Sequence, residues 1–215
     1  MYTTLSMAIS ADGYMDDCTS QRLILSTPLD WQEVYRLRAQ ADAILVGGQT
    51  LRSDDPSLGL KSKELIDMRL AAGHSGEPMR VVVSGRGEIS PTAKIFSKGT
   101  GRIVIFSNIE REQIARLDGV EVVVAPCLDV AFIVTELEKR GVQRLFVEGG
   151  AQILELFLQS GMVDKLRIAC NPNVVVGDSA APYFSAQRWL SHFEGEGLVE
   201  RQELDGMQII SLSMG

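Results

Sequence analysis

The chain has little of what hydrolytic and metal-dependent enzymes are built from. Its 215 residues include two histidines, His74 and His192, and three cysteines, Cys18, Cys127 and Cys170. Three widely separated cysteines fit neither a disulfide framework nor a zinc knuckle, so reduced thiols are expected. No His-x-x-x-His or Cys-x-x-Cys spacing occurs, and no metal site is expected. There is no Gly-x-Ser-x-Gly elbow, and neither histidine sits at an obvious strand end, which argues against a catalytic triad. No apolar run approaches the ~20 residues that span a bilayer, and Met1-Tyr2-Thr3-Thr4-Leu5 carries no basic region ahead of a long apolar stretch, so a cytoplasmic protein is expected rather than a membrane or secreted one. A net charge of −7 without a lysine- or arginine-rich run disfavours nucleic acid as a partner. The dinucleotide fingerprint Gly-x-Gly-x-x-Gly is also missing, as are internal repeats.

What is present is an alternation of short apolar runs and helical patterns. At 45% hydrophobic and 23% charged residues, the composition is that of a globular protein, and residues 1–215 read as one domain. Thr3 to Ile9 reads as a strand followed by the turn Ser10-Ala11-Asp12-Gly13. Ser26-Thr27-Pro28-Leu29-Asp30 announces a helix to about Gln40, with Thr27 as N-cap, Pro28 in the first turn and Asp30 as an imperfect capping box. Its apolar stripe, Trp31, Val34, Leu37 and Ala41, is expected to face the core, with Arg36 and Arg38 pointing elsewhere. Further strands are expected at Ala43 to Val46, Arg80 to Ser84, Arg102 to Phe106, Glu121 to Ala125 and Arg144 to Val147. Between them lie a polar stretch from Gln49 to Pro56 with room for one helical turn, and helices at Ser62 to Gly73, Glu110 to Leu117 and Asp129 to Arg140, the last closed by Gly141.

This alternation implies an α/β fold with a mostly parallel central sheet and helices on both faces. After Gly161 the pattern changes to strands at Leu166 to Cys170, Gly197 to Leu204 and Met207 to Leu212. Asp205-Gly206 signals a hairpin between the last two, so the sheet should end in antiparallel strands.

Three strand ends are marked by glycine: Gly47-Gly48, Gly85 and Gly149-Gly150. The last opens a helix whose Ile153, Leu154, Phe157 and Leu158 recur at three- and four-residue spacing. A glycine pair ahead of a helix N-terminus can seat a phosphate, because the backbone is approachable and the first-turn N–H groups are unpaired. Glu148 would project into the same crevice. The residues alone lead to an α/β protein with a nucleotide-type cofactor laid across the carboxyl edge of its sheet, or to a plain strand–helix turn at each glycine pair.

Five ordered motifs go further. Ser10-Ala11-Asp12-Gly13, the stretch Leu37-Arg38-Ala39-Gln40-Ala41-Asp42-Ala43-Ile44-Leu45-Val46-Gly47, Thr50-Leu51-Arg52-Ser53-Asp54-Asp55-Pro56, Val147-Glu148-Gly149-Gly150-Ala151 and Gly161-Met162-Val163-Asp164-Lys165-Leu166 together resemble the reductase domain of riboflavin biosynthesis proteins and its stand-alone relatives, whose fold is like dihydrofolate reductase. The resemblance covers nearly the whole chain. It implies NADPH-dependent reduction of the ribosyl group of a phosphoribosylaminopyrimidine to ribityl, with hydride going to C1′.

Carried over by motif, Thr50 and Asp54 would touch the cofactor, Gly149, Gly150, Ala151, Gln152, Ile153 and Leu154 would seat its pyrophosphate, and Ala8 would underlie the nicotinamide. Arg38, Leu58 and Lys61 would contact the substrate, the cations suiting its 5′-phosphate, and Glu148 would act beside it in catalysis. Arg86 is the candidate for the 2′-phosphate of NADPH. Plainer readings exist: a surface ion pair for Arg38, a cap of the following helix for Glu148, an Asx turn for Asp54 and an N-cap for Thr50. Two positions depart from the family pattern, Tyr14 where Lys or Arg is usual and Ile24 where Trp is usual. A reductase of a pterin or other heterocycle, and a non-catalytic nucleotide-binding protein, are therefore alternatives. The antiparallel strands, and the dimers common among relatives, suggest a homodimer.

Overall fold

Strand and helix alternate down the chain as its apolar periodicity requires. The computed structural model describes all residues but 18, 20, 22, 179, 180, 194–198 and 215, with the backbone alone for Gln187, His192 and Phe193. In chain order the elements are β1 (Tyr2–Ser10), α1 (Pro28–Gln40), β2 (Ala43–Gly47), α2 (Gly48–Asp54), α3 (Lys63–Ala71), β3 (Met79–Val83), α4 (Lys94–Ser97), β4 (Ile103–Ser107), α5 (Glu112–Ala115), β5 (Val120–Val124), α6 (Val130–Lys139), β6 (Arg144–Glu148), α7 (Ala151–Ser160), β7 (Lys165–Asn171), α8 (Ala186–Phe193), β8 (Val199–Leu204) and β9 (Met207–Ser213). Among the described residues these strands form one sheet in the order β5-β4-β3-β2-β6-β1-β7-β9-β8. Pairing is parallel from β5 through β7, and β9 then runs antiparallel to both β7 and β8.

Side-chain alternation decides which helix covers which face. Leu45, Val81, Val104, Leu145 and Val147 point to one side and pack with Ile133, Leu137, Leu154 and Phe157 of α6 and α7. Ile44, Val46, Val82, Ile103, Ile105 and Phe146 point to the other and pack with Val34 and Leu51 of α1 and α2. Helices therefore cover both faces, as expected. Local signals set the ends: Thr27 accepts the Asp30 N–H at 3.4 Å, Asp129 accepts that of Phe132 at 2.8 Å, and Gly141 and Gly161 close α6 and α7 with φ of 82° and 69°. Asp205 and Gly206 both have positive φ, 53° and 77°, the geometry of a tight hairpin turn with a twist matching its strands.

Several expectations need correction. The polar stretch after β2 is a helix of 7 residues rather than one turn, because it starts inside the glycine pair. The helices α4 and α8 were not legible in the sequence. The expected start of β8 at Gly197 lies outside the described residues, as does Cys18; Cys127 and Cys170 are free thiols. Arg38 does not point away from the core. It stands four residues from Val34 and eight from Asp30, and all three are the buried stripe of α1.

The edge strand β8 exposes Glu200, Arg201, Gln202 and Glu203 in succession, which guards it against further strand pairing. Among the described residues no helix is long and apolar enough to cross a membrane, and no group of three His, Cys, Asp or Glu could hold a metal ion.

Candidate functional site

Neighbouring strands β2 and β6 send the chain to opposite faces, β2 into α2 on the α1 side and β6 into α7 on the other. Such a switch point opens a crevice at the carboxyl edge of a parallel sheet, where ligands of α/β proteins bind. The two glycines of β6–α7 have different jobs there. A Cβ on Gly149 would lie 2.5 Å from the Cγ2 of Ile153, so that glycine permits close packing of turn on helix. A Cβ on Gly150 would meet only the Thr50 Oγ1, at 3.5 Å, and otherwise open space. Gly150 is at the N-cap position of α7 without a side-chain cap, so Glu148 does not cap this helix. The Gly150 N–H donates to Thr50 Oγ1 at 2.9 Å, tying α2 to α7 across the sheet edge. The Ala151 and Gln152 N–H groups, in the first turn of α7, have no intrahelical acceptor and form the positive end of the helix dipole.

Thr50 is inside α2 rather than at its N-cap, and Asp54 follows on the same helical face four residues later. The side chains of Ile153 and Leu154 are in the core, so these residues can meet a cofactor only through their backbone. Arg86 is exposed just beyond β3, two strands from β6, with its carbonyl accepting from Arg111 at 3.1 Å.

On the α1 side of the same edge, Glu148 meets Arg38 in a fork. The Arg38 Nε donates to one carboxylate oxygen and Nη2 to the other, each at 2.6 Å. The side chains are 7% and 16% exposed. Burial by itself would push the Arg38 pKa down, but the charge and hydrogen bonds of Glu148 outweigh it and raise it, so the guanidinium stays charged. A bidentate pair of this kind is strong and directional. Ser6 of β1 is the register neighbour of Glu148, and Ala8 lies two residues further along the same face.

Beside Arg38 is Tyr35, a residue the sequence did not single out. Its ring has the Arg38 guanidinium 5.3 Å and the exposed Lys61 ammonium 5.5 Å from its centroid, distances at which a cation is attracted to the ring. Leu58 has its side chain 1% exposed in the core and φ of 56°, so substrate contact there falls to the backbone of a segment that adopts a conformation unusual for leucine. Arg38 of α1, Thr50 and Asp54 of α2, and Glu148 and Gly150 at the end of β6 are thus brought to the same carboxyl edge of the sheet, with Lys61 beside the ring of Tyr35.

A second buried ion pair lies deeper under α1. Arg167 of β7 donates to Asp30 at 2.5 Å, with side chains 5% and 1% exposed, and the other Asp30 oxygen has no hydrogen-bond partner. Tyr14, the departure from the family pattern, forms a strand-like bridge with Tyr183, their rings edge to face at 5.4 Å, and Ile24 is 73% exposed.

A mostly parallel sheet with helices on both faces, a switch-point crevice and an antiparallel carboxyl-terminal hairpin define a dihydrofolate reductase-like α/β protein. Solved structures share the arrangement: RibD of Acinetobacter baumannii, form 2, has a TM-score of 0.78 at 24% identity, over 99% of this chain and 57% of that one. A pyrimidine reductase-like protein from Corynebacterium diphtheriae has a TM-score of 0.75 at 18% identity, over 99% and 91%. The RibD C-terminal domain pattern matches residues 1–202, and the chain belongs to that family. Among curated relatives, the 2,5-diamino-6-ribosylamino-4(3H)-pyrimidinone 5′-phosphate reductase of Archaeoglobus fulgidus is 33% identical over 185 residues, covering 84% of each chain. The protein of the same description from Methanothermobacter thermautotrophicus is 30% identical over 183 residues, covering 83% of this chain and 81% of its own. The chain spans a little over half the length of the Acinetobacter RibD, 57%.

Proposed function

We propose that this protein is an NADPH-dependent reductase that converts the ribosyl group of a 5′-phosphoribosylaminopyrimidine to a ribityl chain in riboflavin biosynthesis. The observation that carries the reading is the buried Arg38–Glu148 fork at a switch-point crevice, with Tyr35 and Lys61 beside it and the glycine-opened start of α7 at the same sheet edge. The names of the curated relatives favour the 2,5-diamino pyrimidinone as the heterocycle.

The residues fit the cofactor: open space above Gly150, two first-turn N–H groups and the Thr50 hydroxyl suit a pyrophosphate. When bound, NADPH supplies the hydride delivered to C1′. Arg86 is proposed for the 2′-phosphate, Ala8 for the floor beneath the nicotinamide and Asp54 for the flank of the cofactor. Lys61 offers an ammonium to the substrate's 5′-phosphate, and Arg38 adds its positive field. Glu148, held in place by two hydrogen bonds from Arg38, is placed to accept a hydrogen bond from the substrate's amino edge and to stabilise the positive charge that develops when the ribosyl ring opens. A homodimer in the cytoplasm completes the proposal, the dimer to be read from light scattering.

The test is NADPH oxidation with a substrate panel. Turnover of the phosphoribosylaminopyrimidine is expected. NADPH oxidation supported only by a pterin, or NADPH binding without turnover of any member, would contradict the assignment.

A further inference from the structure

Glu77 lies two residues before β3 and is 6% exposed, yet no part of the proposed reaction uses it. Its Oε1 accepts the Leu60 N–H at 3.1 Å. Its Oε2 accepts from the backbone N–H of Thr100, and from the Thr100 hydroxyl at 3.3 Å. Two glycines make room for it: an added Cβ on Gly59 would stand 2.8 Å from Oε1, and one on Gly99 2.6 Å from Oε2. Burial alone would raise the Glu77 pKa, but these hydrogen bonds outweigh it and leave it lowered, so the carboxylate is ionised where it sits.

The Leu60 N–H belongs to the same planar peptide as the Gly59 carbonyl. That carbonyl accepts from the Arg38 Nη1 at 3.5 Å, while the other two Arg38 nitrogens hold Glu148. One peptide is therefore strung between Glu77 on one side and the Arg38–Glu148 fork on the other. Lys61 follows it directly, and Leu58 precedes it at φ of 56°, a conformation that persists only where its surroundings enforce it.

We infer that Glu77 is a positioning residue for the phosphate end of the substrate: by fixing the Gly59–Leu60 peptide it orients Arg38 and aims Lys61. This rests on the reading of Arg38 and Lys61 as the phosphate-binding cations. Glu77→Gln keeps the shape, removes the charge and turns one of the two acceptors into a donor, so the Leu60 and Thr100 N–H groups can no longer both be held and the clamp on the peptide is loosened.

The experiment compares the unaltered enzyme, Glu77→Gln and Thr100→Val on the phosphorylated substrate and on its dephosphorylated ribosyl counterpart. Glu77→Gln is expected to raise KM about tenfold for the phosphorylated substrate alone, with kcat little changed, the pattern of lost uniform binding. Thr100→Val, which removes a hydroxyl contact on the far side of the carboxylate, is expected to lower Tm and leave KM alone. An unaltered enzyme that prefers the phosphorylated substrate beside a Glu77→Gln variant with unchanged KM, or with KM raised equally for both, overturns the inference and leaves the phosphate reading intact. An unaltered enzyme that does not discriminate overturns the phosphate reading, and the inference with it.

Should Glu77→Gln not fold, amide exchange in residues 58–61 of the unaltered protein decides. Slowed exchange on adding ribose 5-phosphate supports the inference. Unchanged exchange under conditions where ribose 5-phosphate inhibits turnover overturns it.

Discussion

Two buried ion pairs join α1 to the sheet, and they differ in how completely they are satisfied. Arg38–Glu148 is a two-point fork at the rim of the crevice, with both carboxylate oxygens occupied and Glu148 still 16% exposed. Asp30–Arg167 is shut away from solvent, with one hydrogen bond at 2.5 Å and one carboxylate oxygen unpartnered. Desolvation penalises both, but the rim pair keeps a face for a ligand while the deep pair can only serve the packing of α1. The lesson is that burial of charge alone does not mark a site; access to a crevice does.

The largest expected effect breaks the deep pair. Asp30→Ala leaves Arg167 buried without a counter-charge and should cost about 3–5 kcal/mol in denaturant unfolding, whereas replacing both by apolar residues of similar volume should recover much of that. A cost below about 1 kcal/mol for Asp30→Ala would remove the distinction between the pairs.

The two glycines sharpen the same contrast between folding and binding. Gly149→Ala forces a methyl onto Ile153 and should cost about 1–3 kcal/mol of stability, as overpacking does. Gly150→Val places its side chain in open space, so its melting should stay near that of the parent. NADPH affinity measured by cofactor fluorescence should nonetheless fall about tenfold or more, a loss of about 1.4 kcal/mol.

Acid is a gentler probe. The Glu77 pKa is lowered below the ordinary 4.5 as hydrogen bonds overcome burial, and that of Glu121 by its hydrogen bond from Arg140. A folded-state pKa below the unfolded one gives stability that is complete above pH 4.5 and lost as pH falls through the folded value. Melting scans should therefore show an acid limb that is shallower in Glu77→Gln. The smallest effect is expected at the exposed Glu112–Arg116 pair, where Arg116→Ala should change stability by less than about 0.5 kcal/mol.

Much of this was legible in the sequence, because local chemistry fixes local structure. Thr27-Pro28, Asp129, Gly141, Gly161 and Asp205-Gly206 end elements by side-chain caps or positive φ, effects within a few residues. The switch-point glycines were visible for the same reason. What stayed hidden depends on partners distant in the chain. Arg38 shares the buried face of α1 with Val34, four residues away, which the apolar stripe of Trp31, Val34, Leu37 and Ala41 does not reveal, and its acid is 110 residues away. Asp30 looked like half of a capping box, with nothing local to indicate Arg167, 137 residues on. Tyr35 was unremarkable until the fold brought Lys61 to its ring. The helix α4 is 4 residues long, too short for periodicity to show.

The central claim is that Glu148 acts on the reacting substrate rather than on the cofactor, and Glu148→Gln tests it most directly, since the amide keeps the shape and removes the charge. Turnover of the phosphoribosylaminopyrimidine and NADPH affinity are measured on the same preparation. The account predicts a fall in kcat/KM of ~10²-fold or more with NADPH affinity within about twofold of the parent. Near-normal turnover, or an equal loss in cofactor binding, would contradict it.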